Sequence, residues 1–360
     1  MKIYFDQRKG HRETQKDTVK YAPKEIINVN KSFLKINNID HISVKISKLR
    51  LFISKITQTI PIIQFSSIRC KDLIYSWNKI PIYGKYILEL ENPYALTYYN
   101  SFGVKLYRTL LKILLRQKRC KAINCMSVAC KLNFLKEFGN DLEYKTNVFY
   151  PYAKKNTLRK HKNINFIFVG TNFNLKGGRE LIKAFSEIDN SKITLTLIGV
   201  EGKSKDKRMK FLGKMPRKEI FNKYYPNSDV LVFPTTYESF GLVALEALSF
   251  GLGIITTNTY ALPEFVKHNK NGYLINNPYI KGEDISNHFF ANVTKLTITE
   301  FENKYLSKFS IELYVELKKA MLIAIDNYTN WKNESEKIFS EKFDDKVWKE
   351  NFKSLLKCVE

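Results

Sequence analysis

Two glutamates flank an apolar stretch in the segment 231–257, which reads LVFPTTYESFGLVALEALSFGLGIITT. Glu238 and Glu246 stand eight residues apart, and Glu246 is the single charged residue between Ser239 and Ile255. A carboxylate among apolar side chains is costly unless a partner compensates its charge. Eight helical residues rise about 12 Å, so the two carboxylates suit the two ends of an elongated, hydroxyl-rich ligand.

The residues between the glutamates predict a helix that opens at Ser239, Phe240 and Gly241. The free N–H groups of a helix start can hold an anion. A carboxylate, an anion-binding helix start and a second carboxylate together fit a sugar, a pyrophosphate and a ribose. The alternative interpretation makes Glu238 a helix-start acid and Glu246 a buried, paired residue that stabilises the fold.

Strands that alternate with helices must position these groups, and this alternation predicts parallel sheets. In the second half, Glu238 sits at a strand-to-helix turn. In the first half, strands are predicted at residues 2–5, 25–29, 60–65, 73–77, 86–90, 122–127 and 148–151, with a helix from residue 128 to Phe138.

Composition limits the class of protein. A chain of 360 residues with 44% apolar residues suggests two domains. The net charge of +25 favours polyanions or anionic membrane surfaces as partners. No apolar run is long enough to span a membrane, and Asp6 comes too early for a signal peptide, so we expect a cytoplasmic location. The five cysteines form no C-x-x-C pair, and no metal site is assigned.

The glutamate segment resembles the signature of the retaining, family 4 (group 1) glycosyltransferases of the GT-B fold. The segments 166–170, 194–199, 211–213 and 228–234 resemble strands of the family's C-terminal domain, in the family's order. The segment 176–178 resembles its phosphate loop and 181–184 its first helix, and the resemblance covers roughly residues 150–280. It implies an α/β protein of two Rossmann-like domains that face each other across a cleft. Residues 1–152 would form the acceptor-side domain and residues 153–335 the nucleotide-sugar domain, with a C-terminal helix in 336–360 crossing back to the first.

The resemblance also implies roles for individual residues. Lys176 and Glu238 would be catalytic, with Lys176 on the donor phosphates and Glu238 on the sugar hydroxyls; Glu246 would bind the ribose. The remaining donor-binding residues would be Gly170, Thr171, Gly213, Lys214, Ser239, Phe240, Gly241 and Leu242. No metal or cofactor is expected, because the nucleotide-sugar is itself a substrate.

Two departures from the family pattern concern the phosphates. Thr171 stands where the family usually has an arginine, so Lys214 or Arg179 would have to supply that contact, unless it is missing. The glycine-rich loop near the N-terminus is not recognisable beyond Lys9-Gly10. Lys176 as an ordinary surface lysine is the alternative to its catalytic role.

On the acceptor side, Asn92-Pro-Tyr-Ala95 resembles the family's H-N-P segment, with Glu91 at the histidine position. Glu91 and Asn92 are therefore the predicted acceptor-side residues.

Residues 104–121 hold seven basic residues and no acid, with apolar residues at helical spacing. Such a basic amphipathic helix is typical of a membrane-surface element, which would place the protein at the inner face of the cell membrane. An ordinary helix that packs its apolar face on the sheet is the alternative.

These features together predict a glycosyltransferase of the hexosyltransferase type. It would move a sugar from a nucleotide-diphosphate-sugar to a glycan or lipid-linked acceptor in cell-surface polysaccharide or lipopolysaccharide assembly. A synthase of a soluble glycoside, a non-catalytic GT-B-like partner subunit and a basic nucleic-acid-binding protein are the alternatives. Against the last, the positive charge is spread along the chain and no nucleic-acid module is recognisable, so no nucleic-acid partner is expected.

Overall fold

The computed structural model describes residues 3–6, 13–23, 61–159, 163–279 and 301–357. The chain divides into two compact units, one of residues 1–152 with 348–360 and one of residues 153–347. Residues 336–347 group with the second unit, so the segment that returns to the first unit begins at Trp348 rather than at residue 336. The predicted strand at 25–29 and the Lys9-Gly10 pair lie outside the described residues.

The first unit is built on a parallel sheet with the strand order β1-β3-β5-β6-β7 and a small two-stranded sheet, β2-β4. All positions of β3 and β5 are buried, as a parallel sheet covered on both faces requires. The elements are β1 (Ile3–Phe5), α1 (Glu13–Tyr21), β2 (Phe65–Ser66), β3 (Leu73–Trp77), β4 (Ile80–Pro81), β5 (Tyr86–Leu90), α2 (Ser101–Arg116), β6 (Cys120–Cys125), α3 (Val128–Phe138) and β7 (Thr146–Val148).

Two predicted strands of this unit were placed wrongly. Of the described residues 61–65 of the strand predicted at 60–65, only Phe65 is in a strand, the two-residue β2. The strand predicted at 148–151 ends at Val148 and begins earlier, at Thr146. Pro151 has no N–H to donate to a neighbouring strand, which disfavours extension of the ladder to that residue.

The second unit is built on a six-stranded parallel sheet with the order β10-β9-β8-β11-β12-β13. Counted from its own first strand this is 3-2-1-4-5-6, the doubly wound order. The elements are β8 (Ile164–Val169), α4 (Gly178–Ser186), β9 (Ile193–Ile198), β10 (Met209–Phe211), α5 (Arg217–Glu219), β11 (Val230–Phe233), α6 (Leu242–Ser249), β12 (Gly253–Thr257), α7 (Leu262–Phe265), β13 (Gly272–Ile275) and α8 (Ile311–Lys342). The next helix, α9 (Asp345–Lys357), lies in the first unit from Trp348 on. The predicted α/β class with parallel sheets is confirmed.

Helices at the end of the chain complete the core of each unit. The long α8 buries Leu313, Leu317 and Trp331 in the apolar cluster of the second sheet. The following α9 belongs to the first unit, where Trp348 and Phe352 join an apolar cluster with residues of β1 and β3. The Trp348 indole Nε1 also donates to the Tyr150 carbonyl oxygen, at 3.1 Å.

Candidate active site

The doubly wound order places β8 beside β11 at the centre of the second sheet, where the direction of winding reverses. Ligands of open α/β sheets bind at this point, outside the carboxyl ends of the strands. The loop after β8 carries Gly170, Thr171 and Lys176, and the loop after β11 carries Glu238. The topology therefore brings the two predicted catalytic residues to one edge of the sheet from loops that are far apart in sequence.

Lys176 and Glu238 contact each other directly. Lys176 Nζ lies 2.7 Å from Glu238 Oε2, and the two side chains are 15% and 17% exposed. The ammonium also donates to Thr235 Oγ1 at 3.1 Å and to the Tyr237 carbonyl oxygen at 3.3 Å. These three partners match the three N–H donors of a lysine, so Lys176 is fixed in place rather than solvated.

Glu238 is held in its ionised form. Burial raises the pKa of its carboxyl. The charge and hydrogen bond of Lys176 and the backbone N–H groups of Ser239 and Phe240 lower the pKa by more than burial raises it, so the pKa lies below its usual value. The Ser239 N–H donates to Glu238 Oε1 at 3.0 Å. Glu238 therefore presents an anion that can accept hydrogen bonds from hydroxyl groups.

The helix after Glu238 starts at Leu242, three residues later than the predicted opening at Ser239. Gly241 is the residue before α6 and has a positive φ of 89°, while Leu242 is the first helical residue. A Cβ on Gly241 would lie 2.5 Å from Leu262 Cδ2, so this position favours glycine for space as well as for backbone conformation. Phe240 is buried, and its backbone N–H is one of the two amides that lower the pKa of the Glu238 carboxyl.

Glu246, at the far end of the same segment, is paired with two residues that sequence reasoning missed. Arg217 Nε lies 2.6 Å from Glu246 Oε1, and the Tyr225 hydroxyl donates to Glu246 Oε2 at 3.1 Å. Burial, followed by the charge of Glu246, raises the pKa of Tyr225 well above its ordinary value. The one signal available in the sequence was the cost of a lone buried carboxylate, which requires a partner but does not name it.

Two glycines shape the loops on the other side of the site. Gly199 has a φ of 89°, and a Cβ there would lie 2.5 Å from the Gly170 carbonyl oxygen. Its N–H donates to the Gly213 carbonyl oxygen at 2.6 Å, and Gly213 itself has a φ of 62°. The loops after β8, β9 and β10 therefore pack together backbone against backbone.

The predicted substitutes for the missing arginine occupy different environments. Thr171 and Lys214 are exposed. Arg179 points elsewhere, since its guanidinium donates to the carbonyl oxygens of Leu306 and Lys308 at 2.7 and 2.9 Å. Of the two candidates, Arg179 is thus already hydrogen-bonded to backbone carbonyl groups, whereas Lys214 is exposed.

In the first unit, the predicted acceptor-side residues are buried at the end of β5. Asn92 Oδ1 accepts from the Ala95 N–H at 3.1 Å and so caps the short helix Pro93–Thr97. Its Nδ2 has no hydrogen-bond partner among the described residues. The Asn78 side-chain Nδ2 donates a hydrogen bond to Glu91 Oε1, at 3.4 Å.

A further buried carboxylate, Glu89, lies in β5 itself and was also missed. It accepts a hydrogen bond from the Tyr75 hydroxyl at 2.5 Å. Burial raises the pKa of Glu89 to about 7, against the lowering effect of that bond. No pattern separated Glu89 from the apolar strand around it.

Comparison with known proteins supports this description of the second unit. Residues 151–288 match the family model of the glycosyl transferases group 1. This part of the chain is similar to the group 1 glycosyltransferases. The matched residues include every predicted donor-binding residue and both ion pairs described above.

The curated relatives match over part of their length. The chain is 32% identical over 178 residues to an uncharacterized 41.2 kDa protein in the cps region of Klebsiella pneumoniae, covering 47% of this chain and 49% of that one. It is 25% identical over 138 residues to the lipopolysaccharide glucosyltransferase WaaG of Escherichia coli, covering 36% and 37%. The chain spans about half the length of the first of these relatives, and less of WaaG.

Solved structures match over the whole chain. Anabaena HepE in complex with UDP aligns with a TM-score of 0.63 at 15% identity, covering 99% of this chain and all of that one. Its complex with UDP-glucose aligns with a TM-score of 0.61. At this identity the likeness establishes the fold, which is GT-B as the sequence predicted.

Proposed function

We propose that this protein is a retaining glycosyltransferase of family 4. It transfers a hexose from a nucleotide-diphosphate-sugar to a glycan or lipid-linked acceptor in the assembly of cell-surface polysaccharide or lipopolysaccharide. The observation that carries the proposal is the Lys176–Glu238 pair at the switch point of a group 1 glycosyltransferase domain. The cps location of one relative and the name of WaaG support the pathway.

The chemistry assigns the two residues different tasks. Breaking the bond between a sugar and a diphosphate builds negative charge on the leaving phosphate, and a fixed cation aimed at that charge is a strong catalytic resource. Lys176 supplies this cation, exchanging a hydrogen bond to Thr235 or Tyr237 for one to the phosphate. Glu238 accepts hydrogen bonds from the sugar hydroxyls, and Glu246 from the ribose. No metal or cofactor takes part in this proposal.

We propose a nucleotide-diphosphate-sugar as the donor, because the HepE structures that share the fold contain UDP and UDP-glucose. The test is a thermal-shift screen of the full chain against UDP, GDP, ADP and UDP-glucose. A nucleotide at 100 times its Kd stabilises a protein by about 2.7 kcal/mol, which raises Tm by several degrees. No shift with any nucleotide at about 1 mM, the upper end of ordinary KM values, would contradict the proposal.

The matched control for this screen is the double variant Lys176→Met with Glu238→Gln. It removes both charges together and leaves no unpaired buried ion, so it separates lost binding from lost folding. We expect the double variant to fold and to lose most of the nucleotide-dependent shift.

A non-catalytic partner subunit is the second candidate, favoured by the exposed Thr171 at the position of the family's arginine. It predicts a nucleotide-dependent shift without turnover. Release of UDP from UDP-glucose, with or without an acceptor, would argue against it. The anomeric form of the sugar first released, followed by NMR, tests the proposed retention.

A further inference from the structure

Helix α2 turns an apolar stripe toward solvent. Phe102, Leu106, Leu110 and Ile113 are 63%, 56%, 45% and 53% exposed. At 3.6 residues per turn these four side chains fall within an arc of about 80°. The opposite arc, with Val104, Leu111 and Leu115, is the buried one. The sequence shows apolar residues at helical spacing in 104–121, and the structure divides them between an exposed face with Leu106 and Leu110 and a buried face with Leu111.

Basic residues border the exposed stripe on one side. Lys105, Lys112 and Arg116 fall in the adjoining arc of the helix, and residues 101–121 contain no acid. Asp141 offsets part of this charge, since it lies 3.1 Å from Lys112 and 2.7 Å from Arg116. Lys105 and the following Lys118 are exposed.

Two aromatic residues continue the surface before the helix. Tyr98 and Tyr99 are both exposed, and both have a positive φ, 54° and 65°, at the turn that leads into α2. Tyrosine combines an apolar ring with a polar hydroxyl and is enriched where membrane meets water. The edge of the stripe thus has the residue type that suits a headgroup layer.

A second helix provides an internal comparison. On α8, Ile311, Val315 and Leu322 are also exposed, but Glu312 and Glu316 lie among them. Mixed charges beside apolar residues give no preference for an anionic surface. The combination of an apolar stripe with basic residues and no acid therefore sets α2 apart from α8.

We propose that α2 docks the first unit on an anionic lipid bilayer. Phe102, Leu106, Leu110 and Ile113 enter the boundary between headgroups and acyl chains, while Lys105 and Lys118 meet anionic lipid phosphates. The docking rests on the proposed function for its purpose, since it brings the enzyme to a membrane that presents a lipid-linked acceptor. The binding itself is measured without any sugar.

The experiment is vesicle co-sedimentation of the full chain. Vesicles of phosphatidylcholine with phosphatidylglycerol are compared with vesicles of phosphatidylcholine alone. The variant Leu106→Ser, Leu110→Ser, Ile113→Ser should bind the anionic vesicles at least about tenfold more weakly, because it removes most of the inserted apolar surface. The matched control, Ile311→Ser, Val315→Ser, Leu322→Ser, removes three exposed apolar residues from α8 and should bind within about twofold of the wild type.

The charged part is tested separately with Lys105→Glu, Lys118→Glu. Each basic residue near an anionic leaflet contributes to attraction, so this reversal should weaken binding by about tenfold or more. Raising the ionic strength from about 0.1 M to about 1 M shortens the Debye length from about 10 Å to about 3 Å and should have a similar effect on the wild type.

Three results would overturn the proposal: unchanged vesicle binding by the α2 variant, equal binding to both vesicle types, or a wild-type dimer that the α2 variant converts to a monomer. The last would make the stripe an interface between copies. Nucleotide-dependent thermal shifts of the same variants keep this test separate from the proposed function. Vesicle binding without nucleotide binding rejects the enzyme and keeps the membrane surface; the reverse rejects only the surface.

Discussion

Each of the two glutamates, Glu238 and Glu246, is compensated by a cation from another segment of the second unit. Glu238 pairs with Lys176, and Glu246 with Arg217 and the Tyr225 hydroxyl. Pairing keeps a carboxylate ionised in a partly buried place, and a ligand can still exchange into its hydrogen bonds. A stabilising role and a ligand-binding role for Glu246 are therefore compatible.

Replacing one member of the Lys176–Glu238 pair should lower the free energy of unfolding more than replacing both members. We expect Lys176→Met to lower the free energy of unfolding of the second unit by about 3 kcal/mol, because Glu238 is left without its cation. The double variant Lys176→Met, Glu238→Gln should recover most of that loss. Urea unfolding of the three proteins measures both. Equal stability of the single and double variants would show that the pair is too well solvated to matter.

The ribose assignment of Glu246 can be separated from its pairing. If its carboxylate accepts from ribose hydroxyls, the wild type should bind UDP about tenfold more tightly than 2′-deoxy-UDP, the worth of one hydrogen bond to a charged group. Glu246→Gln should reduce this ratio. Titration calorimetry gives the four dissociation constants, and a ratio that the substitution leaves unchanged would confine Glu246 to its structural role.

Glu89 should make the first unit less stable as pH rises. Its folded pKa of about 7 lies above the usual value near 4.5. The folded state therefore binds the proton more tightly, and the stability that this contributes is present below about pH 4.5 and lost as pH rises through 7. Glu89→Gln should remove a decline on the order of 3 kcal/mol between pH 5 and pH 8. Parallel urea-midpoint profiles for the two proteins would count against a protonated Glu89.

Loops that pack backbone against backbone connect the strands at the site. Gly199 lies against the Gly170 carbonyl group, whereas the nearest atom to a Cβ on Gly213 is Glu201 Cγ, 3.5 Å away. Both glycines have a positive φ, so they share the conformational preference and differ in the space around them.

This difference predicts unequal costs for the two alanine substitutions. Gly213→Ala should destabilise the second unit by about 1 kcal/mol, the ordinary penalty for a left-handed alanine. Gly199→Ala should cost at least about 2 kcal/mol, because the backbone at Gly170 must also shift, and should weaken nucleotide binding at the same loop. Thermal unfolding and a UDP titration measure the two effects. Equal destabilisation by the two substitutions would mean that the backbone of the loop after β8 can shift with little loss of stability.

At the scale of the whole molecule, the first unit is made of two segments, 1–152 and 348–360, that the second unit separates in sequence. Helix α9 follows α8 directly, yet its Trp348 and Phe352 complete the apolar cluster of the first unit. The stability of the first unit therefore depends on residues that follow the second unit in sequence.

Two buried tryptophans give a matched test of this dependence. Trp348→Ala should destabilise the first unit by about 3–5 kcal/mol and reduce hydrogen-exchange protection in β3 and β5. Trp331→Ala, in the core of the second unit, should instead reduce protection in β12 and β13. Loss of protection in both sheets from either substitution would show that the units unfold together.

The alternation of strands and helices was sufficient for the class of fold, and resemblance to family motifs located β8, β9 and β11 in the second unit. The apolar runs that became β8, β9 and β11 are bounded by glycine, proline or polar residues, and strand formation of this kind depends on short-range sequence. Glu238 and Glu246 stood out for the same reason, because a charge in an apolar run is visible without any partner. The strands of the first unit were located less well, since short buried strands such as β2 and β7 carry too few residues for a period to appear.

What the tertiary structure decided is which side chains meet. The pairing of Glu246 with Arg217 and Tyr225 depends on how the segment after β10 packs beside α6, and nothing in the spacing of these residues indicates it. The same holds for α2: its sequence shows an apolar stripe and a basic one, but only packing on the sheet determines which arc is buried. Contacts between distant segments follow from strand order and the packing of whole elements, whereas an element itself follows from the residues within it.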